Sequence, residues 1–360
     1  MRRYFPLIDA VRFLAALGVG LHHLGFTAWR ADSTFPALIV APPAGSKPVI
    51  EFGWALWVGV EVFFVISGAV IAASALDSSP VRFLRGRFLR LYPAVWICSA
   101  VIAVITVGLG VVYGNLPVRI VSSALINPLG PWLDPVFWTL AVELCFYALV
   151  WLSLTQAIPI ERVACGLVVW SAAYLVLSYF DLGLSPAIER PLLLRHGVFF
   201  ALGILLWSWG ARRLTPAHIP FLVLSILGAF YEVAVKAEEA AISFFGSAAD
   251  HSAGWPVAIF AAATAVIALS LRWLSTPRPL TTLRTLGLIT YPLYLVHTAV
   301  GGLVMHELLV AGVDPTAALC AGLIGAVLAG WVISAFAEPA LRAAVANQID
   351  TLFFRRSREV

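Results

Sequence analysis

Residues 7–29 read LIDAVRFLAALGVGLHHLGFTAW, an apolar run of membrane-spanning length that also carries Asp9, Arg12, His22 and His23. A run this long and apolar folds as a helix in a bilayer, because each backbone N–H and C=O must find its partner inside the segment. Charge in such a helix is costly, so each ionisable residue in it is a candidate site. At about 100° per residue, the eleven-residue step from Arg12 to His23 returns to within roughly 20° of the same direction and rises about 16 Å. Asp9, three residues before Arg12, falls on nearly the same side, whereas His22 is displaced by roughly a quarter turn or more. One helix therefore carries a polar stripe most of the way through the membrane.

Over 360 residues the mean hydropathy is +0.94, with 61% hydrophobic and 12% charged residues. These values exclude an ordinary soluble domain and imply a polytopic membrane protein. The apolar segments are long and do not alternate with period two, so the fold class is an all-α transmembrane helical bundle and not a barrel. Ten segments are predicted, at 7–29, 52–76, 88–112, 135–156, 160–178, 194–210, 216–235, 254–272, 285–311 and 316–342. An even number places both termini on one side. With that side cytoplasmic, sixteen of the 23 Lys and Arg residues lie inside, among them Arg2, Arg3, Arg355, Arg356 and Arg358. Six lie outside, including Lys236, and Arg12 lies within the membrane; the bias supports this orientation.

The opening MRRYF followed by an apolar run is not read as a cleavable signal peptide, since the run spans, carries charge and lacks a small-residue cleavage site. Residues 1–345 are expected to form the transmembrane domain and 346–360 a short basic cytoplasmic tail, with no appended extracytoplasmic domain. The outer loops 30–51 and 236–253 do not read as folded domains. Cys98, Cys145, Cys165 and Cys320 sit in apolar segments without CxxC spacing, which argues against a disulfide framework or zinc site; they read as small buried residues. No metal is expected. Gly322, Gly325, Ala326 and Gly330 in the last segment predict close helix contacts. The net charge of +4 reports topology here, and no nucleic-acid partner is expected.

Further intramembrane ionisable groups are Glu61 in GVEVFFVISG, Glu143 in FWTLAVELCFY and His297 in YPLYLVHTAV. Counting at 1.5 Å per residue puts Glu61 and Glu143 roughly 12 to 14 Å below the outer surface, and His23 roughly 9 Å from the outer end of its helix. His23, Glu61 and Glu143 are thus expected to meet in the outer half of the bundle. On the inner side, PVRFLRGRFLRLYP sets Arg82, Arg85, Arg87 and Arg90 beside the third helix. Four guanidinium groups suit a polyanion with several phosphates, although basic inner loops also arise from topology and headgroup contact alone. Tyr92 and Pro93 read as features of a helix start, since Pro is favoured in a first turn. A phosphate-rich donor inside and a proton-accepting histidine nearer the outside fit group transfer across the membrane. A secondary transporter or flippase-like carrier is the alternative; it more often shows two related halves, which the sequence lacks. A non-catalytic saccharide- or lipid-binding protein would not need the Arg cluster together with His23.

These motifs resemble acyltransferase family 3, integral membrane proteins that acylate carbohydrates and other acceptors, usually from acyl-coenzyme A. The first helix resembles the family's D-x-x-R opening and its Arg, ten residues, His motif, as Arg12 and His23; GVEVFFVISG resembles the second-helix motif. FLRGRFLRLYP matches the Arg-x-Arg signature at Arg85 and Arg87. FWTLAVELCFY resembles W-S-L-x-V-E with Thr139 in place of Ser, and LGLITYPLYLVH the late Ser-Tyr stretch with Thr290 in place of Ser. AEPALR, with Glu338, resembles the terminal E-x-P pattern. The matches run in order over nearly the whole chain.

The resemblance implies that His23 is the catalytic base, with Arg12 supporting the donor or the site and Glu143 essential. Arg85 and Arg87, with neighbouring Arg90, are implied to hold the coenzyme A phosphates. Glu61, Tyr294 and His297 are implied at the substrate, although Tyr294 and His297 read equally well as packing groups. Acetyl is the expected acyl group, acetyl-CoA the donor, a cell-surface polysaccharide or glycolipid the acceptor, and the bacterial inner membrane, with its lipid, the setting. No residue announces itself as a covalent nucleophile, which favours direct transfer. Nothing in the sequence sets the oligomeric state.

Overall fold

Each apolar run is helical in the computed structural model, which describes residues 4–30, 34–43, 45–76, 78–111, 114–180, 183–247 and 252–353. In chain order the long elements are α1 Pro6–Trp29, α2 Glu51–Ala75, α3 Pro80–Gly108, α4 Pro135–Thr155, α5 Ile160–Tyr179, α6 Gly197–Gly210, α7 Pro216–Phe245, α8 Gly254–Trp273, α9 Thr281–Val310 and α10 Pro315–Thr351. Among the described residues nine of these are long and apolar enough to span. The tenth, α6, has only 14 residues, about 21 Å at 1.5 Å per residue against a hydrocarbon core of about 30 Å.

Helix α6 lies beside α2 and runs the same way: His196 meets Phe64, with ring centroids 5.3 Å apart, and Phe200 meets Gly68 further along. The two backbones touch. A Cβ on Gly68 would fall on the Phe200 carbonyl and one on Gly203 on the Val65 carbonyl, so only glycine permits the approach. In lipid such dispersion contact, more than water exclusion, holds helices together. Gly322 of α10 approaches the Gly301 carbonyl of α9 in the same manner, as the small-residue pattern predicts.

Both described ends lie on one face, where Tyr4 bridges to Thr276 and Arg85 pairs with Asp350 at 2.7 Å. Arg82, Arg212 and Arg272 share this basic face. Arg2, Arg3, Arg355, Arg356 and Arg358, and with them residues 354–360 of the basic tail, lie outside the described residues.

Three expectations need correction. Helix α3 begins at Pro80, capped by the Ser79 side chain, so Pro93 sits in mid-helix and not in a first turn. Helix α7 continues ten residues past the predicted end, and Lys236 is helical instead of lying in an outer loop. Two connections carry short helices, Phe35–Val40 and Leu116–Ala124, and Ile126, Leu133 and Asp134 are buried, so the chain dips into the bundle before α4. Of the four free cysteines, Cys98 is buried and Cys320 is exposed.

Among the described residues three π-helical turns interrupt the long helices, at His22–Phe26 in α1, His297–Gly301 in α9 and Ile333–Ala337 in α10. Such bulges widen a helix by one residue and are frequent at functional sites. Here each contains or adjoins a residue singled out from the sequence: His23, His297 and Glu338.

Candidate active site

Three hollows adjoin one another along the bundle. A basin on the basic face encloses about 2010 Å³ of empty space, its open mouth included, and is lined by Arg82, Arg87, Arg212 and Arg272. Arg87 also lines a lower chamber of about 790 Å³, together with Arg12, Arg90, Glu143 and Tyr147. Val60 and Tyr294 line both this chamber and an upper one of about 750 Å³ that holds His22, His23, Glu61, Asp134 and Lys236.

The helical start of α3 explains how its arginines are shared out. At about 100° per residue Arg85 and Arg87 point roughly 160° apart, whereas Arg87 and Arg90 are about 60° apart. Arg85 accordingly turns to Asp350 of α10. Arg87 lies over the rings of Phe83 and Tyr147, each 5.7 Å away, and its buried Nε has no partner among the described residues. Arg90 lies over Tyr291 at 5.4 Å and 3.9 Å from Glu338, which Arg342 also holds at 2.5 Å. The predicted cluster is thus divided: Arg87 and Arg90 face the lower chamber, Arg82 the basin, and Arg85 the last helix.

In the lower chamber Ser67 and Tyr147 both donate to Oε1 of Glu143, at 2.8 and 2.6 Å. Arg12 lies 3.8 Å from Asp9, whose other oxygen accepts from Tyr4. Gly287 leaves room for the Asp9 carboxylate, which a Cβ there would strike.

The upper chamber holds the histidines. His22 donates to the Gly53 carbonyl at 2.9 Å, pinning α1 to the start of α2, and is buried. His23 lines the chamber, and its Nδ1 lies 2.8 Å from Nε2 of His297. Glu61 is buried and accepts from Lys236 at 2.5 Å, while its second oxygen has no partner among the described residues. Asp134 accepts from Thr298 at 2.5 Å and from the Val136 amide at 3.0 Å. Tyr294 meets Thr139 at 3.1 Å.

The expected meeting of His23, Glu61 and Glu143 is therefore half observed. His23 and Glu61 share the upper chamber, and Glu143 lines the lower one. Glu143 touches Ser67, six residues beyond Glu61 on α2 and so about 9 Å deeper. The dip before α4 lowers that helix relative to α2, which a count from loop to loop does not register.

Sequence reasoning missed Lys236, Asp134, Ser67, Tyr147 and the pair Arg212 and Arg272. Lys236 had a signal. Glu232, Lys236 and Glu239 recur at helical spacing, and Arg195 pairs with Glu232 at 2.9 Å and Glu239 at 3.1 Å, so the stripe continues the helix past 235.

Comparison with known proteins identifies the family of the chain. The family described as an acyltransferase domain matches residues 5–335. A curated relative, the acyltransferase MdmB of Streptomyces mycarofaciens, is 30% identical over 173 residues, 44% of this chain and 41% of the relative. The chain thus spans about two fifths of the length of that relative. No solved structure matches. On a match that begins before α1 and reaches into α10, the chain belongs to the membrane acyltransferase family 3.

Proposed function

We propose that the protein transfers an acyl group, acetyl by preference, from acyl-coenzyme A on the basic, cytoplasmic face to a hydroxyl of a carbohydrate acceptor in the upper chamber. The observation that carries this reading is the run of three adjoining hollows with arginines at one end and His23 at the other. In the bacterial inner membrane the acceptor is a cell-surface polysaccharide or glycolipid.

Arg82, Arg87, Arg212 and Arg272 receive the donor's phosphates in the basin, since charge-assisted bonds from guanidinium to phosphate are both strong and directional. The slender acyl-bearing arm then enters the lower chamber past Arg87, and Arg12, Arg90 and Glu143 line its path. Its thioester reaches the level of Val60 and Tyr294, where the two chambers meet. On the other side Glu61 and Lys236 orient the acceptor, and the open oxygen of Glu61 receives one of its hydroxyl protons in a hydrogen bond. His23 takes the proton of the reacting hydroxyl as oxygen attacks the carbonyl carbon. The C–O bond forms, the C–S bond breaks, and the thiolate leaves with the proton that His23 returns. Arg85, turned onto Asp350, ties α3 to α10 and serves the donor only indirectly.

The test is mass spectrometry of envelope glycans from cells lacking the chromosomal copy and complemented with wild type or His23→Ala. Wild type restores a mass increment of one acyl group, and His23→Ala, present in the membrane at equal level, does not. Equal restoration by both would remove His23 as the base.

A further inference from the structure

The hydrogen bonds around His297 fix more than a position. Its Nδ1 lies 2.7 Å from the carbonyl oxygen of Tyr294, which can only accept, so Nδ1 carries the proton. In the neutral ring Nε2 is then a bare acceptor. That atom faces Nδ1 of His23 at 2.8 Å, with the two ring planes 11° apart and centroids 5.1 Å apart, the geometry of an edge-to-edge bond between nearly coplanar rings. Nδ1 of His23 must therefore be the donor. His23 is left with its proton on Nδ1 and a lone pair on Nε2, and of this pair it is the ring that lines the upper chamber.

We propose that His297 is a positioning residue that holds His23 in the Nδ1–H tautomer, so that the lone pair of Nε2 is presented to the acceptor hydroxyl. This inference rests on the reading of His23 as the base and extends it to a residue that the sequence left divided between substrate contact and packing. A buried carboxylate does the same for the histidine of a serine protease, and the wrong tautomer there costs about 10⁴ in kcat. Here the fixing group is a neutral imidazole anchored on a backbone carbonyl, so no additional charge is buried. His297 is fully buried, and α9 departs from α-helical geometry at this residue. The matching π turn in α1 contains His23, so both rings of the pair sit on π turns.

The step balances. The hydroxyl O–H bond breaks, its proton joins Nε2 of His23, and the new imidazolium keeps its Nδ1–H bond to the lone pair of His297. On collapse, Nε2 returns that proton to the departing thiolate, and both rings regain their starting tautomers.

Two measurements on purified full-length protein decide the matter. In protein labelled with 15N-histidine, the signal that His23→Ala removes should show shifts of a protonated Nδ1 and an unprotonated Nε2; the reverse assignment overturns the proposal. Acetyl-coenzyme A turnover, with acyl acceptor glycans from the producing cells, should fall on the order of 10²- to 10⁴-fold in kcat for His297→Leu, with KM for the donor unchanged. His297→Gln should retain activity within about tenfold of wild type, because its amide oxygen accepts from His23 and its NH2 donates to Tyr294. Full activity in His297→Leu, or equal losses in the Leu and Gln variants, overturns it. If His297→Leu does not fold, the wild-type spectrum and the Gln variant still decide. An active His23→Ala beside the Nδ1–H spectrum would defeat the base and leave the hydrogen-bond assignment standing.

Discussion

Asp134 shows what a single side chain loses and gains by the dip of the chain before α4. It is 1% exposed, and burial raises its carboxyl to about 6, with the Thr298 hydroxyl and the Val136 amide pulling the other way. The folded protein thus binds this proton more tightly than the unfolded chain, whose carboxyl keeps the ordinary value of 3.8. Stability from this group is complete below the ordinary value and is lost as pH rises through about 6. Between pH 4 and pH 6.5 the thermal unfolding temperature in detergent should therefore fall for wild type relative to Asp134→Asn, an isostere of the protonated form. An identical pH dependence in the two proteins would show that Asp134 ionises freely. At this level the sequence was informative where a charge interrupts an apolar run, as at Arg12, His23, Glu61, Glu143 and His297. It was silent on Asp134 and Lys236, whose burial depends on where a loop turns inward and where a helix ends.

Helix α3 shows how an element redistributes a motif. Four arginines in nine residues read as one patch, yet 29 residues of continuous helix aim Arg85 and Arg87 at opposite neighbours. Replacing Arg87 by Ala should raise the KM for acyl-coenzyme A by about ten- to a hundredfold, the equivalent of a lost charged hydrogen bond of roughly 1.5 to 3 kcal/mol. Arg85→Ala should change that KM less than threefold and instead lower the unfolding temperature by releasing Asp350. Initial-rate kinetics with both variants check the order, and a larger donor effect from Arg85 would reverse the assignment. Nine of the ten segments were readable because length and apolarity determine a span. Helix α6 and the end of α7 were blurred for opposite reasons: α6 is short because its approach is buried, and α7 is long because its charges find partners in Arg195 and Glu61.

The whole bundle places the basin and His23 on opposite sides of a layer formed by Val60 and Tyr294. None of the hollows is visible in a linear pattern, since each takes its walls from helices distant in sequence. Orientation can be tested on intact cells. With the basic face inside, Ser46→Cys should react with a membrane-impermeant thiol reagent directly, and Ser78→Cys only after permeabilisation; the opposite result would invert the protein. The layer that the two chambers share has an electrical consequence. Where solution enters both chambers, a membrane voltage falls across the layer between them, instead of the full hydrocarbon thickness. A charge displaced through that layer would then be worked on by up to about 2.3 kcal/mol per 100 mV. The thiolate and imidazolium of the proposed transfer, formed beside this boundary, would make the turnover rate respond to membrane energisation.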